Sequence, residues 1–149
     1  MEPDYRNIYR DARQTAGLTQ ERWAELLGIS ADSVRQYETD RMTPSDEVVL
    51  RMAEAAGQQI ICYWHMVRKS RIAAKLLPEL DRAQLPEAVL ALLVKIRDFA
   101  EDGMMDLTRI AADGRVDLDE REPYEYAMRQ LRELISAGLT VEYAERKED

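Results

Sequence analysis

Two short apolar stripes separated by Gly28-Ile29-Ser30 constrain this chain more than any other feature in it. Gln20 to Leu27 sets Trp23, Ala24 and Leu27 on one helical face, and Ala31 to about Thr39 carries Val34 inside the next helix. Two helices joined by so tight a turn must bury their facing sides at a steep angle. A steep crossing needs a small residue where the backbones meet, and Ala24 supplies it. The turn needs a residue of wide backbone freedom, and Gly28 supplies that. Ile29 plugs the turn, while Thr19 and Ser30 are placed to cap the two helices.

The pattern extends in both directions. Tyr5, Tyr9, Ala12 and Ala16 form a stripe that predicts a first helix from about Asp4 to Ala16, ended by Gly17. After a loop, Asp40 to Pro44, Ser45 caps a fourth helix through Val48, Val49, Met52, Ala53 and Ala56 to Gly57. Such a unit leaves the N-terminus and outer face of its third helix able to enter a DNA major groove, with the second helix crossing the backbone.

Gly17-Leu18-Thr19-Gln20, Ala24-Glu25, Leu27-Gly28-Ile29-Ser30, Val34, Tyr37-Glu38 and Pro44-Ser45 together resemble the repressor/Cro-like (XRE) helix-turn-helix family over about residues 5–57. The resemblance implies a lambda-repressor-like domain that binds double-stranded DNA as a transcriptional regulator, expected to be a repressor. It implies that Arg13 pairs structurally with Glu38, and that Gln20 and Arg41 meet phosphates. It places the base-edge readers at Ala31, Asp32, Ser33, Arg35 and Gln36. The side chains there have the matching chemistry, since Arg35 complements guanine O6/N7, Gln36 adenine N6/N7, and Asp32 cytosine N4. Asp32 also favours the helix dipole but repels phosphate.

Charge is awkward for a nucleic-acid binder. The chain is −8 overall, which excludes a broadly basic protein and requires any DNA contact to come from a local face. Residues 1–57 hold seven basic and eleven acidic side chains, residues 58–85 five and two, and residues 86–149 nine and sixteen. All seven cations before position 58 are Arg, the type suited to bidentate contacts with phosphate or guanine.

The rest of the chain reads as a helical connector, 58–85, and a C-terminal helical hairpin, 86–149. In the connector Ile60, Ile61, Tyr63, Trp64 and Val67 are apolar enough to require packing on the first unit, and Glu79 to Leu85 reads as a linker. The hairpin's first arm starts near Pro86 with a seam of Val89, Leu93, Ile96, Ala100, Gly103, Leu107 and Ile110. Its second arm starts near Asp117, with Glu120 as a box-like partner; Pro123 fits a helix interior poorly, so either the true start is later or the first turns bend. That arm's seam is Ala127, Leu131, Leu134, Gly138 and Val141. Glu145 to Asp149 is expected to fray. An isolated hairpin buries one side of such seams, and the N-terminal unit shows no spare apolar face. A homodimer through residues 86–149 is therefore expected.

Lys75-Leu76-Leu77-Pro78-Glu79-Leu80 and Leu85-Pro86-Glu87-Ala88-Val89-Leu90 resemble small phage-associated regulators of Gram-positive bacteria, which implies a mobile-element operon. Other chemistries find little support. Counted from Asp113, a calcium loop would need ligands or Gly where Arg115, Leu118 and Tyr124 stand. Cys62 and His65 are too few for a zinc site and read as packing residues. With no nucleophile–base arrangement and no phosphate-cradling Gly loop, neither an enzyme nor a cofactor is expected. No membrane span or signal peptide is recognised, and one Cys suits the cytoplasm. The rival reading is an antitoxin or anti-regulator whose acidic C-terminal region holds a protein partner.

Overall fold

The structure is a computed structural model that describes residues 7–147. It is all-α: α1 Ile8–Thr15, α2 Gln20–Leu27, α3 Ala31–Glu38, α4 Asp46–Ala56, α5 Ile60–Lys69, α6 Arg71–Leu76, α7 Leu85–Asp98, α8 Met104–Ile110 and α9 Arg121–Glu142. A single π-helical turn, Phe99–Gly103, joins α7 to α8. No helix among the described residues is long and apolar enough to cross a membrane.

The helix boundaries follow from capping. Asn7 Oδ1 accepts from the amides of Tyr9 and Arg10 at 3.0 and 2.9 Å, so α1 opens at Ile8 rather than near Asp4. The expected stripe residue Tyr5 lies outside the described residues. Thr19, Ser30 and Ser45 cap α2, α3 and α4 through their hydroxyls. Gly28 closes α2 at φ +63°, in the left-handed region that a side chain resists.

Contacts divide the chain between Leu77 and Pro78 into two units. In the first, Trp23, Leu27, Val34, Val49, Met52 and Ile61 are fully buried; the aliphatic members contribute roughly 1.5–3 kcal/mol each. Ile61, with Cys62 and Trp64 against the same cluster, puts α5 on the first unit as its apolar residues require. The helices added after residue 57 bring an open apolar patch to this unit. Leu50, Met66, Ile72 and Leu76 are exposed, and several of them line an apolar cleft of about 860 Å³ beside α5 and α6. Six residues of α6 following directly on α5 cannot fold back over both sides of the chain, so one apolar edge stays open.

In the second unit α9 packs along α7, the π turn and α8. The inner face of α7 runs through Ala88, Leu92, Lys95 and Phe99, then through Gly103 and Ile110. The predicted seam is therefore right from Gly103 onward and one residue off before it: Val89, Leu93 and Ile96 are 37%, 56% and 46% exposed. The π turn is the reason. Its extra residue rotates the helix face between the two halves. A Cβ on Gly103 would sit 2.8 Å from Phe99 Cδ2 and 2.6 Å from Gln130 Oε1, so any larger residue there would have to displace both side chains. Gly138, by contrast, has open space around it.

Of the two starts left open for the second arm, the structure takes the later one. The second arm begins at Arg121, because Pro123 is tolerated only in a first turn, where no amide is required of it. Glu120 Oε2 accepts from the Asp117 amide at 3.2 Å in the preceding turn. The expected linker is held by Glu145, the first residue of the tail expected to fray. Glu145 N–H donates to Ala83 O at 2.9 Å, Leu85 N–H to Glu145 O at 3.1 Å, and Arg82 pairs with the Glu145 carboxylate at 2.7 Å. Residues 148–149 lie outside the described residues.

Candidate nucleic-acid interface

Helix α3 exposes one polar face. Val34, Tyr37 and Glu38 turn inward, while Asp32, Arg35 and Thr39 are exposed and Ser33 and Gln36 half-buried. Ala31 is half-buried against the core, so what it offers outward is its amide at the helix start. Ser30 Oγ accepts from the Ser33 amide at 3.0 Å and meets the Ser33 hydroxyl at 2.9 Å, which fixes the helix N-terminus. Gln36 Nε2 donates to Asp32 Oδ2 at 2.6 Å. The i, i+4 spacing of these two residues is the signal that sequence reading passed over. The bond fixes one Asp32 carboxylate oxygen against the Gln36 amide.

Behind this face sits a buried ionic knot. Glu38 is 2% exposed. Arg13 grips it with two bonds, Nε to Oε1 at 2.5 Å and Nη2 to Oε2 at 3.0 Å, and the Arg13 Nη1 donates to Leu18 O at 2.7 Å. Gln20 Nε2 adds a third donor to Oε2 at 2.8 Å, so the residue expected at a phosphate also fastens α2 to α3. Hydrogen bonding to Glu38 raises the Arg13 guanidinium pKa further above its ordinary value. Arg10 reaches the same carboxylate at 3.8 Å and the Glu38 carbonyl at 3.2 Å. One arginine late in α1, one glutamine at the start of α2 and the carboxylate ending α3 thereby set the crossing of three helices.

The loop after α3 is shaped by residues that sequence reading did not single out. Asp40 takes φ +56°, tolerable for a short polar side chain, and accepts from Asn7 Nδ2 at 3.1 Å. The same amide also donates to Tyr37 O at 2.8 Å. Arg41 and Met42 follow, exposed, with their amides returned to Gln36 O.

His65, expected as a packing residue, is buried and bonded on both sides. Its Nδ1 meets the Tyr9 hydroxyl at 2.8 Å, and its Nε2 lies 3.3 Å from Asp46 Oδ1. Lys69 Nζ reaches the same oxygen at 2.6 Å. These bonds, Lys69 first and His65 second, hold the Asp46 carboxyl below its ordinary pKa. Cys62 is half-buried, and burial pushes its thiol pKa up, away from reactivity.

A family model described as a helix-turn-helix domain matches residues 10–59. No curated protein and no solved structure matches the chain. The matched span takes in most of α1, all of α2, α3 and α4, and stops just short of α5. Residues 10–59 are thus a helix-turn-helix domain, and α5 and α6 extend the first unit beyond it.

Proposed function

We propose that the chain is a sequence-specific DNA-binding transcriptional regulator of the repressor/Cro type, acting by occupying its operator. One observation carries the reading: α3 is fixed from behind by the Arg13–Gln20–Glu38 knot and presents only polar side chains outward. A rigid helix with a polar outer face, capped at its N-terminus, is what major-groove readout requires. In this reading Arg35 and Gln36 meet base edges, with Asp32 and Ser33 beside them. The start of α3 at Ala31 approaches the groove floor, while Gln20 and Arg41 meet phosphates. The resemblance of residues 75–90 to phage-associated regulators favours a mobile-element operon.

The regulator works as a homodimer through its second unit. Val89, Leu90, Leu93, Val94 and Ile96 leave a largely apolar face on α7 uncovered, which a second hairpin would bury. Selection from a random duplex pool should yield a two-fold site with half-sites about 34 Å apart. On that site Arg35→Ala and Gln36→Ala should each relax preference at a separate position while non-specific affinity persists, each contact being worth about 1–3 kcal/mol. Unchanged preference in both variants would remove α3 as the reader.

A further inference from the structure

The four cations of residues 58–77 are crowded into Arg68, Lys69, Arg71 and Lys75, and that stretch holds no carboxylate. Residues 1–57 carry an excess of acid, so cations brought beside a face that approaches duplex DNA would strengthen its positive potential. Helix α5 brings it to a definite place. His65, Arg68 and Lys69 stand three and four residues apart, on one stripe of its last two turns. His65 and Lys69 are tied to Asp46, the first residue of α4, and His65 also to Tyr9 of α1. That fastening holds the end of α5 beside the loop that leaves α3. There Arg68 and Lys69 line an open cleft of about 440 Å³ together with Asp40 and Thr43.

We propose that Arg68 and Lys69, with the Thr43 hydroxyl, form a phosphate-binding station for the strand flanking the groove that α3 reads. The inference rests on the DNA reading above and adds residues beyond the matched domain, which ends at residue 59. Lys69 is about half exposed and its ion-pair partner Asp46 more so, and exposed pairs of this kind exchange readily for another anion. Asp40 stands in the same cleft and opposes a phosphate, so its charge moderates the station's strength. A purely structural account, in which cations merely complement the C-terminal dipole of α5, gives these residues no part in salt dependence.

The test uses the full chain and a mixed-sequence duplex of about 24 base pairs, with affinity followed by anisotropy as salt is raised from about 50 to 200 mM. In the double variant Arg68→Gln, Lys69→Gln the slope of log K against log salt should become shallower by about 1.8, about 0.9 for each lost contact. An unchanged slope overturns the station while leaving the DNA reading intact. Failure of the unaltered chain to bind any duplex overturns the DNA reading, and the station with it. If melting shows the double variant unfolded, Asp40→Asn decides. Asparagine suits the left-handed backbone there and keeps an acceptor for Asn7, so tighter binding supports the station, and equal or weaker binding overturns it.

Discussion

Glu38 joins fold and function in a single side chain. It is buried, and it is satisfied by Arg13 and Gln20 across three helices. Removing one partner of such a pair leaves an uncompensated buried charge, at a cost of about 3–5 kcal/mol. Glu38→Gln should therefore lower the melting temperature and DNA affinity together, with Arg13→Ala doing the same. Calorimetry beside a binding titration checks this, and weakened binding with an intact melting point would mean that Glu38 faces DNA. The pairing of Arg13 with Glu38 was legible through family resemblance. The share taken by Gln20 was not, because a residue expected at phosphate carries no sequence mark of an inward bond. Asp32 and Gln36 illustrate the opposite case, since their spacing alone announces the bond that joins them.

At the scale of helices, three glycines that look alike in sequence have different roles. Gly28 needs its left-handed φ, so Gly28→Ala should cost about 1–2 kcal/mol without any clash, its nearest neighbour being an Arg51 nitrogen at 3.6 Å. Gly103 needs its missing side chain, because Phe99 and Gln130 occupy the space. Gly138 needs neither, and Gly138→Ala should raise stability by about 0.5–1 kcal/mol through reduced backbone entropy. Denaturant melts of the three single variants check the order, and a destabilised Gly138→Ala would place a second chain against that point of α9. The π turn belongs to this scale too. The predicted seam kept one register throughout, whereas a one-residue insertion lets Ala88 and Gly103 both face α9. Periodicity could not reveal the shift, because Val89, Leu93 and Ile96 are more apolar than Ala88, Leu92 and Lys95, which turn inward in their place.

For the molecule as a whole, the face left on α7 makes the oligomeric state the decisive measurement. Light scattering on the full chain at micromolar concentration should give a dimer. Leu90→Glu with Leu93→Glu should give a folded monomer, since both side chains are more than half exposed within one chain. A wild-type monomer would overturn the dimer, and a double variant that remains dimeric would move the interface elsewhere. The exposed Leu50, Met66, Ile72 and Leu76 would then be the next candidates. Co-purification with a stoichiometric second protein would favour the antitoxin or anti-regulator reading, for which the acidic second unit is suited.

The sequence by itself determined the four-helix plan of residues 8–57. Caps, glycine stops and apolar spacing are local signals, and here all of them agree. It determined as well which side of α3 would face outward, since Val34 and Tyr37 admit one burial. Tertiary structure alone decided the rest. It set which face of α7 meets α9, turning Ala88, Leu92 and Lys95 inward and leaving the more apolar Val89, Leu93 and Ile96 exposed. It folded the expected linker against Glu145, through amides whose pairing no side-chain pattern encodes. And it carried Arg68 and Lys69, some thirty residues along the chain, to the loop that follows α3. Proximity of that kind follows from the path of α4 and α5, and local sequence holds no record of it.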